Sequence, residues 1–136
     1  MSLHVLHVVG ARPNFIKAAP VHAALAARGA RQTLVHTGQH YDAAMSGDIL
    51  HELGLPAPDV NLGVGSGSHA HQTGRVMIGL EDELRRSKPD LVLVYGDVNS
   101  TMAAAITAAK AGVPVDHVEA GPVSYTHLTL PTNREV

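Results

Sequence analysis

The chain has 136 residues, 45% of them hydrophobic and 3% aromatic, with a formal net charge of −2 when histidines are neutral and no cysteine. That length suits one domain, and the charge gives no electrostatic footprint for nucleic acid or an anionic membrane. Disulfides and thiolate metal sites are excluded, residues 1–10 lack the basic start of a signal peptide, and no run of about 18 apolar residues could span a bilayer, so a cytoplasmic protein is the default expectation. A core built from Ala, Val, Leu and Ile suits a sheet layered between helices.

Residues 3–9 are apolar apart from His4 and His7 and read as a buried parallel strand bounded by Gly10. Pro13-Asn14 opens a helical stretch over 15–28, closed by Gly29. Residues 33–36 form a second strand, followed by the loop Thr37-Gly38-Gln39-His40. Asp42 can cap a helix running to about Leu53 and ending at Gly54. Residues 56–68 are a Pro/Gly/Ser-rich connector with room for a short strand at 60–62. A long helix over 69–86 follows, with Val76, Met77, Leu80 and Leu84 at helical spacing. Residues 90–95, DLVLVY, are the clearest strand, with Gly96-Asp97 at its tip. A helix over 100–111, a turn at Gly112-Val113-Pro114 and a strand over 115–118 complete the pattern.

This alternation predicts an α/β fold: a parallel Rossmann-like sheet with right-handed crossovers and helices on both faces. Ligands of such sheets bind beyond the carboxyl ends of the strands. Four polar loops are expected there, at 10–17, 37–40, 96–101 and 119–121, which would bring Arg12, Lys17, His40, Asp97 and Glu119 around one cleft. Gly10-Ala11-Arg12-Pro13-Asn14 between strand and helix suits phosphate, since a helix N-terminus presents free N–H groups and Arg12 and Lys17 add cations. It is neither a dinucleotide fingerprint nor a Walker A loop, and a plain turn with solvated charges is the alternative. Asp97 and Glu119 each end a strand. Either can cap a following helix or act as acid or base in a partly desolvated cleft, with capping the stronger alternative for Asp97.

The ten histidines do not add up to a metal site. His69 and His71 are two apart at a helix start and share no helix face, so solvated or locally bonded histidines are expected. His4 and His7 point to opposite faces of their strand and read as satisfied core or edge histidines. His40 sits in a strand-end loop from which it could reach a substrate.

Taken together, the motifs resemble the UDP-N-acetylglucosamine 2-epimerase family of the non-hydrolysing bacterial type. They are Gly10-Ala11-Arg12-Pro13-Asn14-Phe15-Ile16-Lys17 with Ala19-Pro20-Val21; Thr37-Gly38-Gln39-His40-Tyr41-Asp42 with Met45; Val94-Tyr95-Gly96-Asp97-Val98-Asn99-Ser100-Thr101; and His117-Val118-Glu119-Ala120-Gly121. The four stand in family order and spacing. The resemblance implies the incomplete N-terminal domain, residues 1–121, of a glycosyltransferase-B-like fold with a cleft between two Rossmann-like domains. It implies inversion at C2 between UDP-GlcNAc and UDP-ManNAc, by elimination of UDP to a 2-acetamidoglucal and its re-addition, with no NAD and no metal. It further implies that Gly10, Arg12, Pro13 and Lys17 bind substrate, that Asp97 and Glu119 are catalytic, and that Gln39 and His40 sit where some members bind a second UDP-GlcNAc as activator. Tyr41 replaces the basic residue common in that loop, and Asn14 stands where many members have Glu, which resembles one branch of the family. A homodimer is implied for the full-length protein.

Other readings are an epimerase of a related UDP-diacetamido sugar, a sugar-nucleotide glycosyltransferase of the same architecture, and a non-catalytic flavodoxin-like module. After Gly121 the family pattern, Leu-Arg-Ser and then a Pro-Glu-Glu segment with another carboxylate, gives way to Pro122-Val123-Ser124-Tyr125, and the composition turns Thr/Leu/Asn-rich. Residues 124–136 resemble translated adapter read-through, so 122–136 are expected to be foreign and the 136-residue chain to be marginally stable and inactive.

Overall fold

The computed structural model describes residues 3–10, 12–38, 50–96 and 99–118, with the backbone alone at Arg12, Leu50 and Asn99. Among these, strands β1 (His4–Val9), β2 (Arg31–His36), β3 (Val60–Asn61), β4 (Leu91–Tyr95) and β5 (Val115–Val118) alternate with helices α1 (Arg12–Ala27), α2 (Leu50–Leu53), α3 (His69–Ser87) and α4 (Asn99–Lys110). All four strand pairings are parallel, in the order β3-β2-β1-β4-β5. The chain starts in the middle of the sheet, moves outward through β2 to β3, then returns to the other side of β1 for β4 and β5.

Strand alternation divides the core. Leu6, Val8, Val35, Val92, Val94 and Val115 pack with Leu80 and Leu84 of α3 and Ala104 and Ala108 of α4. Val5, Val9, Leu34, Leu93 and Tyr95 pack on the opposite face with Phe15 and Ala18 of α1 and with Leu55. Both faces of the sheet are therefore covered, which is why β1 is buried at every position. The alanines of α4 let it lie close against both the sheet and α3.

The expected elements are present with shifted ends. Pro13 and Asn14 lie inside the first turn of α1 rather than before it, since a proline at a helix start loses no hydrogen bond. The helix runs on through Pro20, whose ring removes one backbone donor from its interior. Gly29, at φ 80°, closes it as anticipated. Of the helix expected from Asp42, the last turn, Leu50–Leu53, is described, and the rest lies outside the described residues. The connector strand is two residues long. Helix α3 is capped by Ser68, whose Oγ accepts the His71 N–H at 3.1 Å. Asp90 precedes β4 and holds β1 from outside, its carboxylate accepting the His4 N–H at 2.8 Å.

His4 and His7 do face opposite ways, and both are bonded. His4 Nε2 meets Thr33 Oγ1 at 2.7 Å. His7, with no exposed surface, has Gln32 Oε1 at 2.6 Å from Nε2 and the Tyr95 hydroxyl at 2.6 Å from Nδ1. Because the Gln32 oxygen can only accept, Nε2 carries the proton and Nδ1 accepts from Tyr95. Burial is the main reason the His7 pKa is lowered from 6.5 to about 4; the Gln32 bond opposes that shift and nearby His22 adds to it.

Candidate functional site at the carboxyl end of the sheet

The point where strand order reverses, between β1 and β4, is where a parallel sheet of this kind opens a crevice beyond its strand ends. The described residues there converge on one side chain. Asn14, 1% exposed, accepts the Gly10 N–H through Oδ1 at 2.8 Å and donates through Nδ2 to the Tyr95 carbonyl at 3.0 Å. Gly10 follows β1 and Tyr95 ends β4, so one carboxamide ties the two strand tips across the crevice.

The β4 tip is held from other directions too. Thr101 of α4 donates its hydroxyl to the same Tyr95 carbonyl at 2.6 Å. His117 of β5 bonds through Nε2 to the Gly96 carbonyl, and the Gly96 N–H reaches the Val118 carbonyl at 3.3 Å. Gly96 sits at φ 73°, and a Cβ there would come within 2.9 Å of Asn14 Nδ2. Backbone conformation and the close amide both require glycine at this position.

Next to it, the β2 tip pairs with β1 through Thr37 N–H to Val9 C=O at 2.9 Å. Gly38 is sealed against the connector: Val64 and Gly65 donate to the Thr37 and Gly38 carbonyls at 2.9 and 2.8 Å. His36 stacks on Phe15 at 5.5 Å between ring centroids, and burial lowers its pKa. Among the described residues, His36 Nδ1 and Thr37 Oγ1 are buried without a hydrogen-bond partner.

Of the residues expected to bind substrate, Gly10 is buried at the β1 tip, Pro13 is exposed in the first turn of α1, and Lys17 is half-buried one turn further on. Arg12 opens α1, with its side chain outside the described residues. Asp97, Glu119, Gln39 and His40 also lie outside them. The structure therefore joins the loop after β1 to the tip of β4, where Asp97 follows Gly96 in sequence, and does not bear on the other pairings. The residues that sequence reasoning missed as site builders are Asn14, Thr101 and His117. All three stand inside the quoted motifs, but motif position alone does not reveal bonds spanning 81, 6 and 21 residues.

No group of three or more His, Asp or Glu among the described residues could hold a metal ion. No described helix is long and apolar enough to cross a membrane. His71 is bonded locally, to Ser68 Oγ at 3.0 Å.

A family model described as UDP-N-acetylglucosamine 2-epimerase matches residues 23–129. A Methanococcus maripaludis protein described as a UDP-N-acetylglucosamine 2-epimerase homolog is 47% identical over 123 residues, covering 90% of this chain and 34% of its own length. A Pseudomonas aeruginosa UDP-2,3-diacetamido-2,3-dideoxy-D-glucuronate 2-epimerase is 45% identical over 124 residues, covering 90% of this chain and 35% of itself. Among solved structures, the Methanocaldococcus jannaschii UDP-GlcNAc 2-epimerase in complex with UDP-GlcNAc and UDP superposes with a TM-score of 0.82 at 39% identity, covering 93% of this chain and 35% of that one. The chain thus spans about a third of the length of the relatives it matches.

Proposed function

The chain belongs to the UDP-N-acetylglucosamine 2-epimerase family, and from that premise we propose that the full-length protein interconverts UDP-GlcNAc and UDP-ManNAc, with residues 1–121 forming the N-terminal side of a cleft closed by a second Rossmann-like domain. The observation that supports this most directly is the Asn14 bridge, which sets Gly10 and the first turn of α1 beside the strand end that leads to Asp97. A phosphate-suited loop next to a carboxylate-bearing tip is what the reaction needs. A base removes the C2 proton as the C1–O bond to UDP breaks, leaving the 2-acetamidoglucal; UDP then adds back to C1 while a proton is delivered to the opposite face of C2. In this reading Asp97 and Glu119 move the protons. Arg12, Lys17 and the N-terminus of α1 stabilise the departing diphosphate, beside Gly10 and Pro13. Gln39 and His40 belong to an activator site, and the protein works as a cytoplasmic homodimer without NAD or metal.

The test is made on the full-length gene product. UDP-GlcNAc incubated with it in D₂O is expected to yield UDP-ManNAc with deuterium at C2, read by proton NMR. Asp97→Asn is expected to lower kcat by about 10²- to 10⁴-fold. Absence of both UDP-ManNAc and C2 deuterium defeats the proposal. The Pseudomonas relative gives one specific rival substrate, and faster turnover of the UDP-diacetamido uronate than of UDP-GlcNAc would transfer the assignment to it. The boundary at residue 121 is part of the same reading. It rests on the loss of the family pattern after Gly121 and the change of composition, although the family match runs past it to 129. A genomic read through the locus that contains residues 122–136 unchanged would remove it.

A further inference from the structure

We propose that Asn14 is a positioning residue for the reaction: its carboxamide fixes the Tyr95–Gly96 segment, and thereby the departure point of Asp97, relative to the loop after β1. The inference rests on the epimerase reading above and deepens it.

The argument is one of donor and acceptor inventory. At the switch point, Gly10 offers an N–H and Tyr95 a carbonyl, and both bonds are buried. One short side chain in the first turn of α1 meets both, Asn14 accepting from Gly10 and donating to Tyr95. A carboxamide supplies both; a carboxylate supplies acceptors alone, and a hydroxyl does not reach two partners so placed. The Tyr95 carbonyl also receives the Thr101 hydroxyl, so both of its lone pairs are used. The next carbonyl, that of Gly96, is bonded by His117. Consecutive peptide units are thus held by side chains from α1, α4 and β5, immediately before Asp97. Restraint at this point matches what a proton-transferring group needs, because a misplacement of about 1 Å can cost a factor of about 100 in rate. Gly96 carries the complementary half of the device. It alone leaves room for the amide, whose Nδ2 would lie 2.9 Å from any added Cβ.

The experiment uses the full-length enzyme and the C2-exchange assay, with rates expressed per folded molecule. Asn14→Asp keeps the acceptor for Gly10 and loses the donor to Tyr95. At pH 8 its kcat is expected to fall by about 100-fold with KM nearly unchanged. As pH is lowered, the buried Asp side chain takes up a proton, regains a donor, and the ratio of variant to wild-type kcat rises. Gly96→Ala, which presses on the same amide from the other side, is expected to lower kcat without any such pH recovery, and it decides the matter if Asn14→Asp does not fold. A purely structural role would lower the folded fraction and leave kcat per folded molecule and its pH profile at wild-type values, overturning the proposal. A large KM increase with intact kcat would also overturn it, by making Asn14 a substrate contact. If wild-type enzyme itself shows no C2 exchange, the epimerase reading falls and this inference with it. An active wild type with unaffected variants removes this inference alone.

Discussion

At the scale of single residues, the polar groups buried on the α1 face decide how stability responds to pH. His7 is held neutral between Tyr95 and Gln32, and folding lowers its pKa from 6.5 to about 4. Between those values the unfolded chain binds the extra proton and the folded chain does not. Stability is therefore complete above pH 6.5 and is lost as pH falls toward 4, by an amount on the order of 3 kcal/mol. His22 and His36 shift in the same direction, mainly through burial, and add to the same slope. Urea midpoints measured from pH 7.5 down to 4.5 are expected to drop, and His7→Gln, which can still accept from Tyr95 and donate to Gln32, is expected to flatten the larger part of that drop. An unchanged slope in the variant would show that His7 titrates elsewhere. What was legible in the sequence is that His4 and His7 face opposite ways, from strand alternation, and that both are satisfied. The partners could not be read, because Tyr95 lies 88 residues from His7 and no local pattern encodes such a separation.

At the scale of elements, most of the fold was legible, because the punctuation is chemical. Gly29 and Gly54, both at positive φ, end helices where they were expected to. The apolar spacing of Val76, Leu80 and Leu84 marks the buried side of α3. What escaped were devices without a glycine. Helix α3 ends at Lys88, which adopts φ 48° and ψ 59° while its N–H bonds the Leu84 carbonyl. A lysine is strained there, so Lys88→Gly is expected to raise stability by up to about 1 kcal/mol, read from the urea midpoint. A lower midpoint would mean the lysine side chain contributes more than its backbone costs. At the other end, Ser68→Ala is expected to cost about 1 kcal/mol through the lost cap. Gly38 differs in kind from the helix-ending glycines. A Cβ at Gly29 would meet open space, whereas at Gly38 it would lie 2.7 Å from Asn61 Oδ1 and 3.0 Å from the Gly63 backbone. Gly29→Ala should therefore lose about 1 kcal/mol from strain alone. Gly38→Ala should lose clearly more and weaken protection of the Val64 and Gly65 amides in hydrogen exchange. Equal losses would mean the connector gives way freely.

At the scale of the whole molecule, strand order turns local bonds into a candidate site. Starting in the middle of the sheet and reversing strand order between β1 and β4 sets the carboxyl ends of these two strands side by side, where a parallel sheet of this kind takes its ligands. The alternation of elements predicted the parallel sheet, but not which side chain would join the β1 and β4 tips; Asn14 reads in sequence as a variant letter of a motif, and it becomes a bridge once β1 and β4 are neighbours. The same placement bears on what the 136 residues can do alone. They match about a third of the length of their relatives, and a cleft reaction draws its rate from holding the leaving diphosphate and the proton acceptor together. Under the proposed two-domain reading, one side of that cleft alone would not hold the sugar nucleotide in a reactive orientation. The 136-residue chain is accordingly expected to exchange the C2 proton of UDP-GlcNAc at least about a thousandfold more slowly than the full-length gene product at equal concentration, measured by NMR in D₂O. Comparable rates would mean that the rim between β1 and β4 performs the chemistry unaided, and the two-domain cleft would then have to be abandoned as the source of catalysis.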